Sequence, residues 1–442
     1  VLTVDPDMKR ALILFSALLV AAFLLTPGWT SLVDGADFWV WRRQAVVLSG
    51  YVGFLAMAFA IVLATRPVRL EPWLGGLDKA YGLHKWLGII AGISLSLHWL
   101  AEKSPRWLIE SGWLMRRARH GHGPHAGFEW MGFAKECGEW AFYFLLILGA
   151  IALVKRIPYR FFHLLHKALA LVFVAGAFHA VMLMPGPWYG GPAGWLIIVA
   201  AVAGIVAALV SLSGRIGGAR RLTGRVESAE VGAGGLIDLR LALPEPGLPH
   251  KAGQFAFLTF DRAEGAHPFT IASAADPCHP RFAIKALGDY TRTLAQRLVV
   301  GQAVDIEGPY GCFDFASDGG REIWVAGGIG ITPFLARLDA LSNEGGGRRN
   351  IDFWYCTKTA VDGEFPVDLE SRCARAGVRL HSVIAERDGH LSAKKVADEV
   401  EELGASRVWF CGPAAFAHSL RSGLVAAGLR REAFHCENFA FR

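Results

Sequence analysis

The chain has 442 residues, 53% of them hydrophobic, with a mean hydropathy of +0.34 and a formal net charge of +6. That apolar share exceeds an ordinary soluble domain's and points to a membrane half joined to a soluble half. The modest charge, with Lys and Arg clustered beside apolar segments, argues for membrane orientation and against nucleic-acid binding. Seven cysteines without one Cys-x-x-Cys pair exclude a zinc site or an iron–sulfur binding run. Six of the seven lie in the soluble half, where free thiols suit a reducing cytoplasm.

Six segments are long and apolar enough to predict membrane spans: Ala11–Leu32, Ala45–Thr65, Tyr81–Leu100, Gly138–Val154, Phe161–Met182 and Ala193–Ser213. The first has no convincing cleavage site and reads as a retained helix, and the fourth is the shortest. Basic connectors follow the second, fourth and sixth spans: Arg66–Lys79, Lys155–Arg160 and Arg215–Arg221. Their Lys/Arg excess makes that side cytoplasmic. The loop Ala101–Lys135 is then external despite Arg116, Arg117 and Arg119, and its WLIESGWLMRR stretch reads as an interfacial amphipathic helix.

The third and fifth spans each carry two histidines, His84 with His98 and His166 with His179. Ligating side chains inside a membrane-length helix are costly and invite a functional reading, and imidazole is a common axial ligand of haem iron. The pairs are separated by fourteen and thirteen residues, about 20 Å along a helix at 1.5 Å per residue. Two such helices can clamp two stacked haems. A lone histidine near a helix end is more often an interfacial polar group; four at matched spacing weaken that reading. At about 100° per residue, fourteen positions return to one face, whereas thirteen leave a mismatch of about 140°. The second pair therefore calls for a kink, a π-bulge or laterally offset haems. His163, one turn before His166, competes as the inner ligand.

After Arg221 short runs such as LIDLRLAL, QFAFLTF and FAIKAL, separated by Gly and Pro, predict a small antiparallel barrel. From Glu322 strands alternate with helical stretches, which predicts a parallel sheet covered by helices. The fold class is thus a six-helix membrane bundle with a β-barrel and an α/β domain, divided 1–215, 216–316 and 317–442. In the barrel half, His267-Pro268-Phe269-Thr270 pairs an aromatic with a small hydroxyl residue, which suits a flavin ring; an ordinary strand with an edge proline is the alternative. Gly288 and Thr291 of GDYT offer a backbone and a hydroxyl to a pyrophosphate. Gly327, Gly328, Gly330 and Thr332 of VAGGIGITP lie between a strand and a helix and make a phosphate site, although the pattern is not the usual Rossmann fingerprint. Cys411-Gly412-Pro413 ends a later strand, where sheet ligands sit. Cys411 is either a nicotinamide contact or a small core residue. Lys358 follows a sheet strand where a ribose 2′-phosphate can lie, which favours NADPH, with NADH possible; a solvated lysine is the other reading.

These motifs, with GPYG and the terminal ENFAFR, occur in this order in one group. The chain resembles the ferric reductase/NADPH oxidase superfamily over nearly its whole length. The resemblance implies an enzyme of the plasma membrane that moves electrons from cytoplasmic NAD(P)H through FAD and two b-type haems to an external acceptor. It implies His84 and His166 at the inner haem iron and His98 and His179 at the outer. It implies FAD contacts from His267, Phe269, Thr270, Gly288 and Thr291. Nucleotide contacts would come from Gly327, Gly328, Gly330, Thr332, Cys411 and Pro413. Phe439 resembles the family's flavin-shielding aromatic, and Phe441 is an alternative. His267 stands where soluble relatives carry Arg, and is a weaker pyrophosphate partner. The acceptor is oxygen, a ferric chelate or a periplasmic redox protein. His120, His122 and His125 would favour the second as metal ligands, and exposed Trp107 and Trp113 the third as a docking face.

Overall fold

The computed structural model describes residues 6–29, 37–115, 129–154, 159–232, 235–261, 264–286, 288–316, 320–345, 349–361 and 368–437. These fall into two compact units that meet in sequence at Ile216/Gly217.

The first unit is helical: α1 (Pro6–Leu24), α2 (Phe38–Ala64), α3 (Leu77–Glu110), α4 (Trp130–Leu153), α5 (Tyr159–Met182) and α6 (Pro192–Leu212). Asp37 starts α2 by accepting the Val40 amide at 2.9 Å, satisfying one of the donors that a helix start leaves open. Pro192 opens α6, where a missing N–H costs nothing. Small residues let the helices approach: a Cβ at Gly53 would stand 2.7 Å from the Leu95 side chain, and one at Gly204 2.2 Å from the Phe173 ring. Phe173 stacks in turn on Phe54, tying α2, α5 and α6 into one apolar core with Leu55, Ala177 and Ile197.

Four of these helices, α2, α4, α5 and α6, are long and apolar enough to cross a membrane. The apolar part of α1 is shorter, Arg10–Leu24, and α3 is not among the four. Histidines, serines and lysines dilute its hydropathy although it is 34 residues long. Two details of the expected external loop differ. Ala101–Glu110 continues α3 without a break, and the chain turns at Gly112 (φ +77°), so Trp107–Glu110 of the WLIESGWLMRR stretch belongs to α3 and not to a separate interfacial helix. Nothing before the amphipathic stretch ends α3; even Pro105 is carried inside the helix. At the other end α4 already begins at Trp130 and is longer than the expected fourth span.

The second unit holds two sheets. β1 (Arg221–Val231), β2 (Ile237–Ala242), β3 (Phe255–Thr259), β4 (His267–Thr270), β5 (Arg281–Ile284) and β6 (Ala303–Tyr310) form an antiparallel sheet in the order β4-β3-β6-β1-β2-β5. A bridge between Ile271 and Phe282 brings its two edges together, so the barrel is nearly closed. Alternation sets its inside: Ile237, Leu239 and Leu241 are buried while Asp238 and Arg240 between them face outward. A nine-residue helix, α7 (Asp289–Arg297), lies between β5 and β6.

The other sheet is wholly parallel: β7 (Glu322–Gly327), β8 (Ile351–Thr357), β9 (Arg379–Ile384), β10 (Arg407–Cys411) and β11 (Phe434–Glu437), in the order β11-β10-β7-β8-β9. Its central strands are almost continuously buried because helices cover both faces. On one face α8 (Thr332–Asn343) and α9 (Leu369–Ala376) pack Phe334, Leu338 and Cys373 over Trp324, Phe353 and Trp409. On the other, α10 (Ala393–Glu399) and α11 (Ala414–Ala426) pack Val396, Leu420 and Leu424 over Val325, Trp354 and Phe410. Each fully buried side chain of this size contributes roughly 1.5–3 kcal/mol. The order of strands reverses between β7 and β10, which fixes where a ligand crevice opens.

Candidate functional sites

In the helical unit the four histidines meet in two pairs. The rings of His84 and His166 are 5.8 Å apart, centre to centre, and those of His98 and His179 are 6.1 Å apart. His163 is exposed, and it is His166 that faces His84. α5 runs as an α-helix from Tyr159 to Met182 with no π-turn, so of the expected ways to reconcile thirteen-residue spacing the π-bulge is not present.

Three of the rings are held from behind by backbone. His84 Nδ1 lies 2.8 Å from the Ala60 carbonyl, His98 Nδ1 2.8 Å from Val46, and His179 Nδ1 2.9 Å from Ala134. A carbonyl only accepts, so each Nδ1 carries the proton and Nε2 is left as a lone-pair donor. Two glycines make room for the His98–His179 pair: a Cβ at Gly50 would stand 2.8 Å from His98 Nδ1, and one at Gly138 2.1 Å from His179 Nδ1. His166 differs. Its Nδ1 is buried without a hydrogen-bond partner among the described residues, and its ring stacks on Phe162 one turn earlier. Such a donor set fits haem iron, with neutral imidazoles oriented through their second nitrogen.

In the barrel, β4 pairs with β3 so that His267 lies opposite Leu258 and Thr270 opposite Phe255. Strand alternation sets His267 and Phe269 on one face, Pro268 and Thr270 on the other. Thr270 is buried. The His267 ring stacks on Tyr290 at 4.3 Å and 9°. Burial pulls its imidazole down to about 4, so the ring is neutral at pH 7. At the position expected to be a weaker pyrophosphate partner than Arg there is thus a neutral, stacked ring. Gly288 caps α7, and its amide donates to Thr291 Oγ1 at 3.0 Å, closing the first turn. No atom outside its own neighbours lies within 4 Å of a Cβ placed on the exposed Gly288. An open helix start beside an aromatic-bearing strand fits a flavin with its diphosphate.

In the parallel sheet the two glycine motifs meet at the strand reversal. β7 and β10 run side by side, with Ala326 opposite Cys411. Gly327 leads into a tight turn, Gly328–Ile331, and then α8. A Cβ at Gly330 would stand 2.2 Å from the Cys411 carbonyl oxygen, and one at Gly327 2.8 Å from Pro413. A Cβ at Gly412 would stand 3.1 Å from Gly327 on the other side. Thr332 is buried and its hydroxyl donates to the Ile329 carbonyl at 3.2 Å, so it braces the turn from within. Cys411 itself is buried in the sheet core, and burial drives its thiol well above the ordinary range. Lys358 is exposed just beyond β8, and its carbonyl accepts the Glu386 amide.

One residue escaped the sequence reading. Glu437 ends β11 opposite Cys411, is buried, and has neither carboxylate oxygen bonded among the described residues. Burial pushes its carboxyl well above the ordinary carboxylate range. A carboxylate followed by polar Asn438 resembles a solvated chain end, so nothing in the sequence signalled its burial. Phe439 and Phe441, and His120, His122 and His125, lie outside the described residues. Among the described residues no cluster of His, Cys, Asp or Glu is arranged to hold a metal ion without a porphyrin.

Comparison with known proteins fits this layout. A family described as "Ferric reductase like transmembrane component" matches residues 49–177, and an "FAD-binding domain" family matches residues 222–314. The reductase component of propane 2-monooxygenase from Rhodococcus jostii is 27% identical over 223 residues, 46% of this chain and 60% of that protein. The flavohemoprotein of Pseudomonas putida is 26% identical over 207 residues, 44% of this chain and 52% of its own length. The chain thus spans about half the length of the curated relatives it matches. A flavohemoglobin from Malassezia yamatoensis, solved with FAD and heme, shares the fold at a TM-score of 0.50 and 17% identity, over 90% of this chain and 97% of that one. A ferric-reductase-like transmembrane component followed on the same chain by an FAD-binding domain is the layout of a ferric reductase/NADPH oxidase-like oxidoreductase.

Proposed function

We propose that this chain carries electrons from cytoplasmic NAD(P)H, by way of FAD and two b-type haems, across a membrane to an external acceptor, foremost oxygen with superoxide as product. The observation that carries the reading is the pair of facing histidine couples, three of whose four rings give the Nδ1 proton to a backbone carbonyl. His84 and His166 would hold one haem and His98 and His179 the other. When bound, the flavin takes a hydride as two electrons and the haems pass single electrons on. The protein's part is to orient and to keep water out. Neutral imidazoles with fixed tautomers suit iron, Phe269 and the start of α7 suit the flavin, and the glycine turn at the β7/β10 reversal suits a nucleotide diphosphate. Lys358 supports NADPH over NADH. Thr270, Cys411 and Phe439 are assigned to the flavin–nicotinamide contact; Cys411 is buried, so that role requires the neighbouring chain to move aside.

We assign the division 1–215, 216–316 and 317–442, six spans, both termini and the flavin and nucleotide domains in the cytoplasm, and the bacterial plasma membrane as the location. The basic connectors Arg66–Lys79 and Arg215–Arg221 support this orientation. A second reading, reduction of ferric iron or a ferric chelate, is favoured by the family that matches residues 49–177.

Anaerobic spectroscopy of the detergent-purified chain tests these readings. NADPH is added and air admitted while flavin and haem bands are followed. Haems that reduce and reoxidise rapidly in air with superoxide formed support the oxidase. Haems that stay reduced until a ferric chelate is added support the second reading, and haems that need another purified protein would make the chain a relay subunit. A chain that takes up no haem defeats all three.

A further inference from the structure

We infer that His267 serves flavin binding through its ring face and not through charge: stacked on Tyr290, it pins the first turn of α7 to β4 and positions that helix start for the diphosphate. The inference rests on the flavin reading above and adds a role for a residue that this reading treats as a direct contact.

Geometry carries it. The two rings lie 4.3 Å apart and 9° from parallel, close to face-to-face contact. One belongs to the first residue of β4, the other to the second residue of α7, and twenty-three residues separate them in sequence. Tyr290 also packs with Phe269 against the barrel core, so the stack is anchored on both sides. Immediately beside it, Thr291 Oγ1 receives the Gly288 amide and donates to the Gly288 carbonyl, which shapes the same turn. The charged groups that act on Tyr290 are Arg297, Glu264 and Asp261, and the first and last of these are paired with each other at 3.1 Å. Burial of the His267 ring opposes a proton on it. A guanidinium at this position would be a permanent charge needing its own partner; an imidazole can be buried as a flat, neutral surface.

The test uses the full-length chain in detergent, stripped of flavin and titrated with FAD by fluorescence quenching. His267→Phe keeps a flat ring and is expected to bind FAD within about threefold of the wild type. His267→Ala and Tyr290→Leu each remove one half of the stack and are expected to bind at least about tenfold more weakly. The thermal midpoint of each flavin-free variant is recorded alongside. Equal weakening of His267→Phe and His267→Ala overturns the inference, because a polar or charged role would then be required. So does a lowered midpoint with unchanged FAD affinity in His267→Ala, which would make the stack merely structural. A wild-type chain that binds no FAD overturns the flavin reading itself.

Discussion

Gly330 lies against the main chain of Cys411, leaving only 2.2 Å between a would-be Cβ and that residue's carbonyl oxygen. The contact joins the turn after β7 to the end of β10 and sets the width of the crevice at the strand reversal. Backbone on both sides leaves no flexible group to yield. Gly330→Ala is expected to lower the stability of the soluble unit by about 2 kcal/mol or more and to weaken NADPH binding. Gly328 is the control. Nothing lies within 4 Å of its Cβ position, but its φ of +55° favours glycine, so Gly328→Ala is expected to cost about 1 kcal/mol. Chemical denaturation and nucleotide titration of both variants check the order; equal losses would contradict the crowding argument.

The histidine pairs predict separable haems. His98→Ala is expected to take up one haem per chain where the wild type takes up two, with the spectrum of the remaining haem preserved. Gly138→Ala, which forces a methyl group to within 2.1 Å of His179 Nδ1, is expected to disturb the same haem. Haem-to-protein ratios and reduced-minus-oxidised spectra decide the matter. Unchanged haem content in His98→Ala would refute the ligand assignment.

Burial of His267 has a consequence for acid stability. Its folded-state value, about 4, lies below the ordinary 6.5, so the unfolded chain binds the extra proton between those limits. Stability of the soluble unit is therefore expected to fall as pH drops from about 6.5 to about 4, by up to about 3 kcal/mol from this group. His267→Phe removes that contribution. In denaturation midpoints measured between pH 4 and pH 8 the wild type should lose stability relative to the variant on acidification; parallel curves would show that the ring is not buried as a neutral group.

Thiol chemistry distinguishes core from surface. Cys312 is exposed, whereas Cys373 and Cys411 are buried, with the Cys373 thiol raised to about 12 by desolvation. Maleimide treatment of the folded chain is expected to modify Cys312 first and to leave Cys373 and Cys411 untouched until denaturant is added, as peptide mass spectrometry would show. Early modification of Cys411 would mean that the end of β10 is open to nucleotide without any rearrangement.

Much of this was legible in the sequence because periodicity and glycine placement carry it. The alternation of Ile237, Leu239 and Leu241 announced a barrel strand, and the apolar runs around Trp324 and Phe410 announced strands covered on both sides. The extent of α3 was not legible: its apolar stretch ends near Leu100, yet ion pairs Arg42–Glu102 at 2.6 Å and Lys103–Glu139 at 2.8 Å link its continuation to α2 and α4. Hydropathy registers charge as an end, whereas paired charges between helices continue one. The neutral state of His267 was illegible for a similar reason, since it follows from burial in a fold that brings Tyr290, a residue distant in sequence, against its ring.

The backbone carbonyls behind His84, His98 and His179 carry a further implication. Two of the three belong to α2 and one to α4, helices that contribute no histidine to either pair. A main-chain oxygen cannot be removed by exchanging a side chain, so the tautomer of these rings is shielded from point mutation in the helices that enforce it. What remains adjustable is helix position. A sideways shift of α2 by a fraction of an ångström would loosen both of its bonds to the α3 histidines together, and the two ligand sites would drift in concert.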